Sequence, residues 1–210
     1  MQETTKKRSL TAPIVFVIMV TLGILCILFY SKALLAEQNE KTDRGMRLSE
    51  KYVFTQTYAK LLREGATLMN EATTEMQRLQ AKEKLGEARF ASMEAVSLVG
   101  EATRMKSGES EEELQQAGET LRDALANEET ALYTVGEHEG PLTDAEKSML
   151  SEVAKLAAEA EEALKQFLAP SGEGGYRMMA DGGVWLDAAL QAKIHFEAIA
   201  AAIGKPISNS

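Results

Sequence analysis

Histidine is the side chain with which to begin a search for chemistry, and the chain has two, His138 and His195. His138 stands between Glu137 and Glu139 in the turn-forming stretch GEHEGP; His195 borders an apolar stripe near the C-terminus. Di-iron chemistry in a helical scaffold needs Glu-x-x-His pairs on facing helices. Position 135 is Val and position 192 is Ala, so neither histidine has the glutamate three residues before it. The His-Glu-x-x-His of zinc proteases and the Gly-x-Ser-x-Gly of hydrolases are missing. The one cysteine, Cys26, lies inside an uncharged run that reads as a membrane segment, where it is expected to serve as a small apolar residue. These observations predict a protein with no cofactor and no metal, and not an enzyme.

One local feature departs from regular patterning. Residues 169–183, APSGEGGYRMMADGG, hold five glycines. They lack the Lys-Ser/Thr of a phosphate-binding loop and follow a helical stretch rather than a strand. The sequence predicts a long connection in which Tyr176, Arg177, Met178 and Met179, with Trp185 just beyond, form an apolar and basic cluster. Such a cluster in a glycine frame is a candidate contact for a partner or ligand, because long loops in compact domains often carry function.

The elements that would position this cluster are organised around Ser9–Ser31, 23 residues without a charged side chain. At ~1.5 Å per residue, a helix of that length crosses the ~30 Å apolar layer of a bilayer. Lys6, Lys7 and Arg8 precede it, which by the positive-inside rule predicts a cytoplasmic N-terminus at residues 1–8. The rival reading is a signal peptide cleaved after Ser31-Lys32-Ala33. The length of the apolar run and the lysine in the middle of that site favour an uncleaved, single-pass anchor in the cell membrane, with the C-terminal domain outside. No nucleic acid is expected as a partner. Residues 1–36 carry net +3, leaving −12 for the rest of a chain whose net charge is −9, and such a surface repels phosphate.

Residues 32–45 read as a polar juxtamembrane stalk or a solvated continuation of the membrane helix. Residues 46–204 carry helical patterning, and 205–210 are a polar tail. Phe54, Tyr58, Leu61, Gly65 and Leu68, flanked by Leu62 and Met69, form a first stripe. That helix ends near 70–74, where Thr74 and Gln77 have capping-box spacing, or near Gly86. A second seam of small residues runs Ala81, Leu85, Ala88, Ser92, Ala95, Val99, Ala102, with a stop at Gly108. A capping box at Ser110 and Glu113 opens a third helix, whose stripe runs Leu114, Ala117, Leu121, Ala124, Glu128, Ala131, Val135. Thr143 and Glu146 form a further capping box. It opens a stripe of Leu150, Val153, Ala157, Ala160, Leu164 and Phe167, stopped by Pro170. The last helix, about 184–203, carries Trp185, Ala189, Ala192, Phe196, Ile199 and Ile203. Its Asp187, Lys193, His195 and Glu197 argue against a second span.

The predicted fold is therefore all-α: a transmembrane helix followed by an exported up-down antiparallel bundle of four to five helices with coiled-coil-like spacing. In outline this is similar to the sensing half of bacterial transmembrane receptors, though without a second span or a cytoplasmic signalling domain. The expected function is protein–protein association at the cell envelope, as an accessory, scaffold or sensing subunit, with a protein partner or self-association. The alternative is a small-ligand-binding, sensor-like bundle that signals through a membrane partner.

Overall fold

A computed structural model describes residues 11–107 and 111–204. The protein is all-helical, and among the described residues there is no strand. The helices are α1 (Thr11–Glu71), α2 (Glu75–Ser107), α3 (Glu111–Ala126), α4 (Ala131–Thr134), α5 (Asp144–Leu164), α6 (Glu173–Ala180) and α7 (Val184–Ile203).

The 61 residues of α1 form one unbroken rod on the order of 90 Å long. From Ile14 to Lys41 every side chain on it is exposed. Among the described helices α1 alone is long and apolar enough to cross a membrane, and none of its apolar window is buried. The 32–45 stretch is therefore a continuation of the helix, and burial begins within it at Gly45. No glycine or proline interrupts residues 24–44, so the polar composition alone does not end the helix.

Beyond that point α1 joins the core. Its buried seam is Leu48, Tyr52, Thr55, Ala59, Leu62, Ala66 and Met69, spaced 4-3-4-3-4-3. This corrects the expected stripe. Tyr58 is buried, but Phe54 and Leu68 are 47% and 43% exposed. Small residues set the phase: Ala59, Ala66 and Thr55 let neighbouring helices approach, and the Thr55 hydroxyl is satisfied by donating to the Lys51 carbonyl at 2.7 Å. Gly65 serves the same end, since a Cβ there would sit 2.9 Å from the Leu85 side chain on α2.

The break between α1 and α2 falls at residues 72–74, the earlier of the two expected places. The capping box forms: Thr74 Oγ1 accepts from the Gln77 N–H, and Gln77 Oε1 accepts from the Thr73 and Thr74 N–H groups. Gly86 is interior to α2 and exposed. The seam from Ala81 to Ala102 is buried throughout, as its spacing predicts. Gly108 and Ser110, expected to stop α2 and cap α3, lie outside the described residues.

The third helix is shorter than its stripe suggested. Ala117 and Glu128 are exposed, and α3 stops at Ala126. There the Asn127 side-chain oxygen takes the Glu129 N–H, an Asx turn that competes with the helix. Leu132 and Val135 reach the core from α4 and the residue that follows it. α5 also ends early, at Leu164, so Phe167 lies in a turn and meets Tyr52 edge-on with ring centroids 5.1 Å apart. The α7 stripe is buried along its whole length.

α1 packs against α2, α5 and α6; α7 packs against α5, α2 and α3. All contribute to a single apolar core whose largest enclosed side chains are Trp185, Tyr52, Tyr58 and Phe196.

Candidate functional site

Two places in the fold combine a hollow with unusual side chains, one at each end of the core. The first contains the predicted contact cluster. From Leu164 onward the chain descends along α1 toward its apolar segment. The Leu164 carbonyl accepts from Tyr52 Oη at 2.8 Å and Gln56 Nε2 at 3.0 Å. The Pro170 carbonyl accepts from Ser49 Oγ at 2.8 Å, the Tyr176 backbone lies on Gly45, and Asp181 is 3.4 Å from Lys41. The expected loop therefore contains a helix. α6 occupies Glu173–Ala180 despite Gly174 and Gly175, because Gly45 leaves room for it to lie on α1. Gly182 and Gly183, both with positive φ, then turn the chain into α7.

This geometry divides the five predicted residues. Met178 is 75% exposed, whereas Met179 and Trp185 are core. Trp185 Nε1 donates to the Met179 carbonyl at 2.9 Å, which locks α7 to α6. Tyr176 and Arg177 are half-buried, and Arg177 faces Glu173 at 3.9 Å. Met178, Met179 and Trp185 line one groove of about 460 Å³ with Phe167, Leu168 and Val184; Tyr176 and Arg177 do not. The structure thus brings three of the five together, and two of those three are reached through the groove rather than from the surface.

The second place was not apparent from the sequence. At the opposite end, Glu146 at the start of α5 is 4% exposed. Its carboxylate accepts from the Gly136 N–H at 2.9 Å, the Thr143 N–H at 2.8 Å and the Thr143 hydroxyl at 2.9 Å; His138 Nε2 lies 2.8 Å away. Burial acts to raise its pKa, but the hydrogen bonds from Gly136, His138 and Thr143 together outweigh it and hold the group at about 2. The hydrogen bond to Glu146 in turn raises the pKa of His138. The capping box at Thr143 and Glu146 was legible; that its glutamate also gathers the turn eight residues upstream was not. The signal was a histidine within a Gly-flanked turn just before the box.

His138 borders an open hollow of about 570 Å³ with Thr73, Thr74, Arg78, Glu139 and Lys147. Arg78 donates from Nη2 to the Gly140 carbonyl at 2.5 Å, while its Nε is buried without a partner. Chemically the hollow offers cations, hydroxyls and the carboxylates of Glu71, Glu75 and Glu139 for holding a polar molecule. Glu146, which stands behind His138 and does not line the hollow, stays ionised across the ordinary pH range and is a poor proton donor. Among the described residues no three His, Cys, Asp or Glu side chains are grouped to hold a metal ion. His195, on α7, is 3.3 Å from Glu159 on α5 and bridges two helices away from either hollow.

No protein-family model matches the chain, and no curated protein or solved structure matches it.

Proposed function

We propose that this chain is a single-pass membrane protein of the cell envelope, with its N-terminus cytoplasmic and residues beyond the apolar segment outside, forming an up-down antiparallel bundle. On this reading it is not an enzyme and acts through protein–protein association, as an accessory, scaffold or sensing subunit. The observation that carries the reading is the two-part character of α1. Its first part, Ile14 to Leu35, is apolar save for Lys32 and a few small polar residues and is wholly exposed, while residues 45–69 are built into the core. An exposed apolar surface that large calls for lipid cover. A helix shared between bilayer and core would hold the bundle at a fixed stance above the membrane, where an associating partner would meet it.

The test is mild crosslinking of the detergent-solubilised full-length protein, followed by identification of what comes with it. A reproducible second membrane protein, or self-crosslinks, would support association; a strict monomer with nothing attached would overturn it.

The hollow beside His138 favours a second reading, a bundle that binds a small polar ligand and signals through a membrane partner. Its cationic groups, Arg78, His138 and Lys147, stand beside as many carboxylates, Glu71, Glu75 and Glu139, a lining that suits a zwitterionic compound. A ligand that binds only the native state must raise the melting temperature. A thermal-shift screen of small zwitterionic and other polar compounds without a stabilising compound would count against it.

A further inference from the structure

The groove between α6 and the start of α7 has an unusual lining for an acidic protein: it carries no charged side chain, and Gln166 is its one strongly polar residue. Its mouth is formed by Leu168, Met178 and Val184, which are 90%, 75% and 65% exposed, and Trp185 closes the wall behind them. A volume of about 460 Å³ lies within the range of small-molecule sites.

Position says what could fill it. The lower edge, Gly182 to Trp185, adjoins Asp181, which is tethered to Lys41. Lys41 follows the last apolar residue pair, Leu34 and Leu35, by only about 9 Å of helix rise. The polar layer of a bilayer extends roughly 5–7 Å beyond its hydrocarbon core on each side. If α1 spans the membrane with Leu35 at the edge of the hydrocarbon, the lower edge opens about 2–4 Å outside the headgroup layer. The upper end lies beside Pro170 and Ser49, about 12 Å of rise farther along α1.

We propose that this groove takes the acyl chain of a bilayer lipid, drawn up from the leaflet on which the helical body stands. The inference rests on the membrane reading given above and adds a ligand to it. An apolar, uncharged channel that begins at the membrane surface and runs away from it suits a neutral hydrocarbon tail, and the carboxylates elsewhere on the surface would repel an anionic occupant. Met178, unbranched and adaptable, stands at the mouth where a flexible chain would enter.

Trp185 is the only tryptophan in the sequence, so its emission reports on the groove alone. The experiment reconstitutes the full chain in phosphatidylcholine vesicles whose acyl chains carry bromine, a quencher that acts near contact, and scores insertion by flotation. The expected result is a loss of Trp185 emission relative to unbrominated vesicles. The exposed-site variants Leu168→Glu and Met178→Glu should restore the emission while helicity and flotation stay unchanged. A chain that floats but shows no quenching overturns the lipid groove and leaves the anchor standing. Quenching that the two variants do not relieve also overturns it, because bromine would then reach Trp185 by another route. A chain that fails to float removes the membrane reading and this inference with it.

Discussion

His138 Nε2 lies 2.8 Å from Oε2 of Glu146, and the pair ties the turn after α4 to the first turn of α5. The glutamate thereby does two jobs. It closes the capping box on Thr143 and takes the N–H of Gly136, a residue held at φ +67°. Replacing Glu146 with Ala leaves the Gly136 and Thr143 N–H groups without their acceptor in a part-buried place and empties the site of a buried side chain. The expected loss is about 2–3 kcal/mol of stability, measured by urea unfolding of residues 37–210.

The same pair predicts a pH dependence. His138 has a folded pKa above its ordinary 6.5, so its contribution is complete below about 6.5 and is lost as pH rises through the raised value. Glu146 has a folded pKa near 2 against an ordinary 4.5, so its contribution is complete above about 4.5 and is lost as pH falls toward 2. Both are present together between about pH 4.5 and 6.5. The stability difference between the native chain and His138→Gln should be largest in that window and shrink by pH 8.5; a difference that grows with pH would contradict the pairing.

Two glycines in α1 should respond differently to alanine. A Cβ on Gly45 would fall on the Tyr176 carbonyl, which is backbone and cannot swing aside. Gly45→Ala should cost about 2–3 kcal/mol even after the gain in helix propensity of about 1 kcal/mol. A Cβ on Gly65 would meet the Leu85 side chain at 2.9 Å and the Leu85 backbone nitrogen at 3.0 Å, a milder overlap that a small shift of α2 relieves. Gly65→Ala should lie within about 1 kcal/mol of the parent. Thermal unfolding of both variants separates the two cases.

The buried tyrosines of α1 make a second contrasting pair. Tyr52 donates to the Leu164 carbonyl at 2.8 Å, whereas the Tyr58 hydroxyl is buried without a partner. Tyr52→Phe should lose about 1 kcal/mol and loosen the turn after α5. Tyr58→Phe removes an unpaired polar atom from the core and should be neutral or stabilising. Denaturant midpoints shifting in the same direction for both variants would contradict the difference in their surroundings.

Where side-chain size and periodicity agreed, the sequence was a good guide. The α7 stripe and the small-residue seam of α2 read directly, because their buried positions are the apolar ones, with the small Ser92 as the exception. α1 misled because large side chains pointed one way and small ones another: Phe54 and Leu68 gave a plausible stripe, but Thr55, Ala59 and Ala66 decide where a neighbour can approach. The end of α3 turned on one side-chain hydrogen bond at Asn127, which no periodicity encodes. α6 was hidden for a different reason. Gly174 and Gly175 weaken its intrinsic propensity, and what makes it a helix is its contact with Gly45, 131 residues before Tyr176 in the chain. The groove was legible only as a cluster of residue names. Which of them line it depended on the same contact.

The unbroken course of α1 gives the protein a fixed rotational phase. Each residue of an α-helix turns the chain by about 100°, so one residue inserted between Ala36 and Glu40 would swing the groove mouth around the helix axis by roughly that angle while leaving both halves of the rod intact. Seven residues would return it to nearly its original bearing about 10 Å farther out. The direction in which the helical body faces its neighbours is thus encoded by the count of residues in a fully exposed segment.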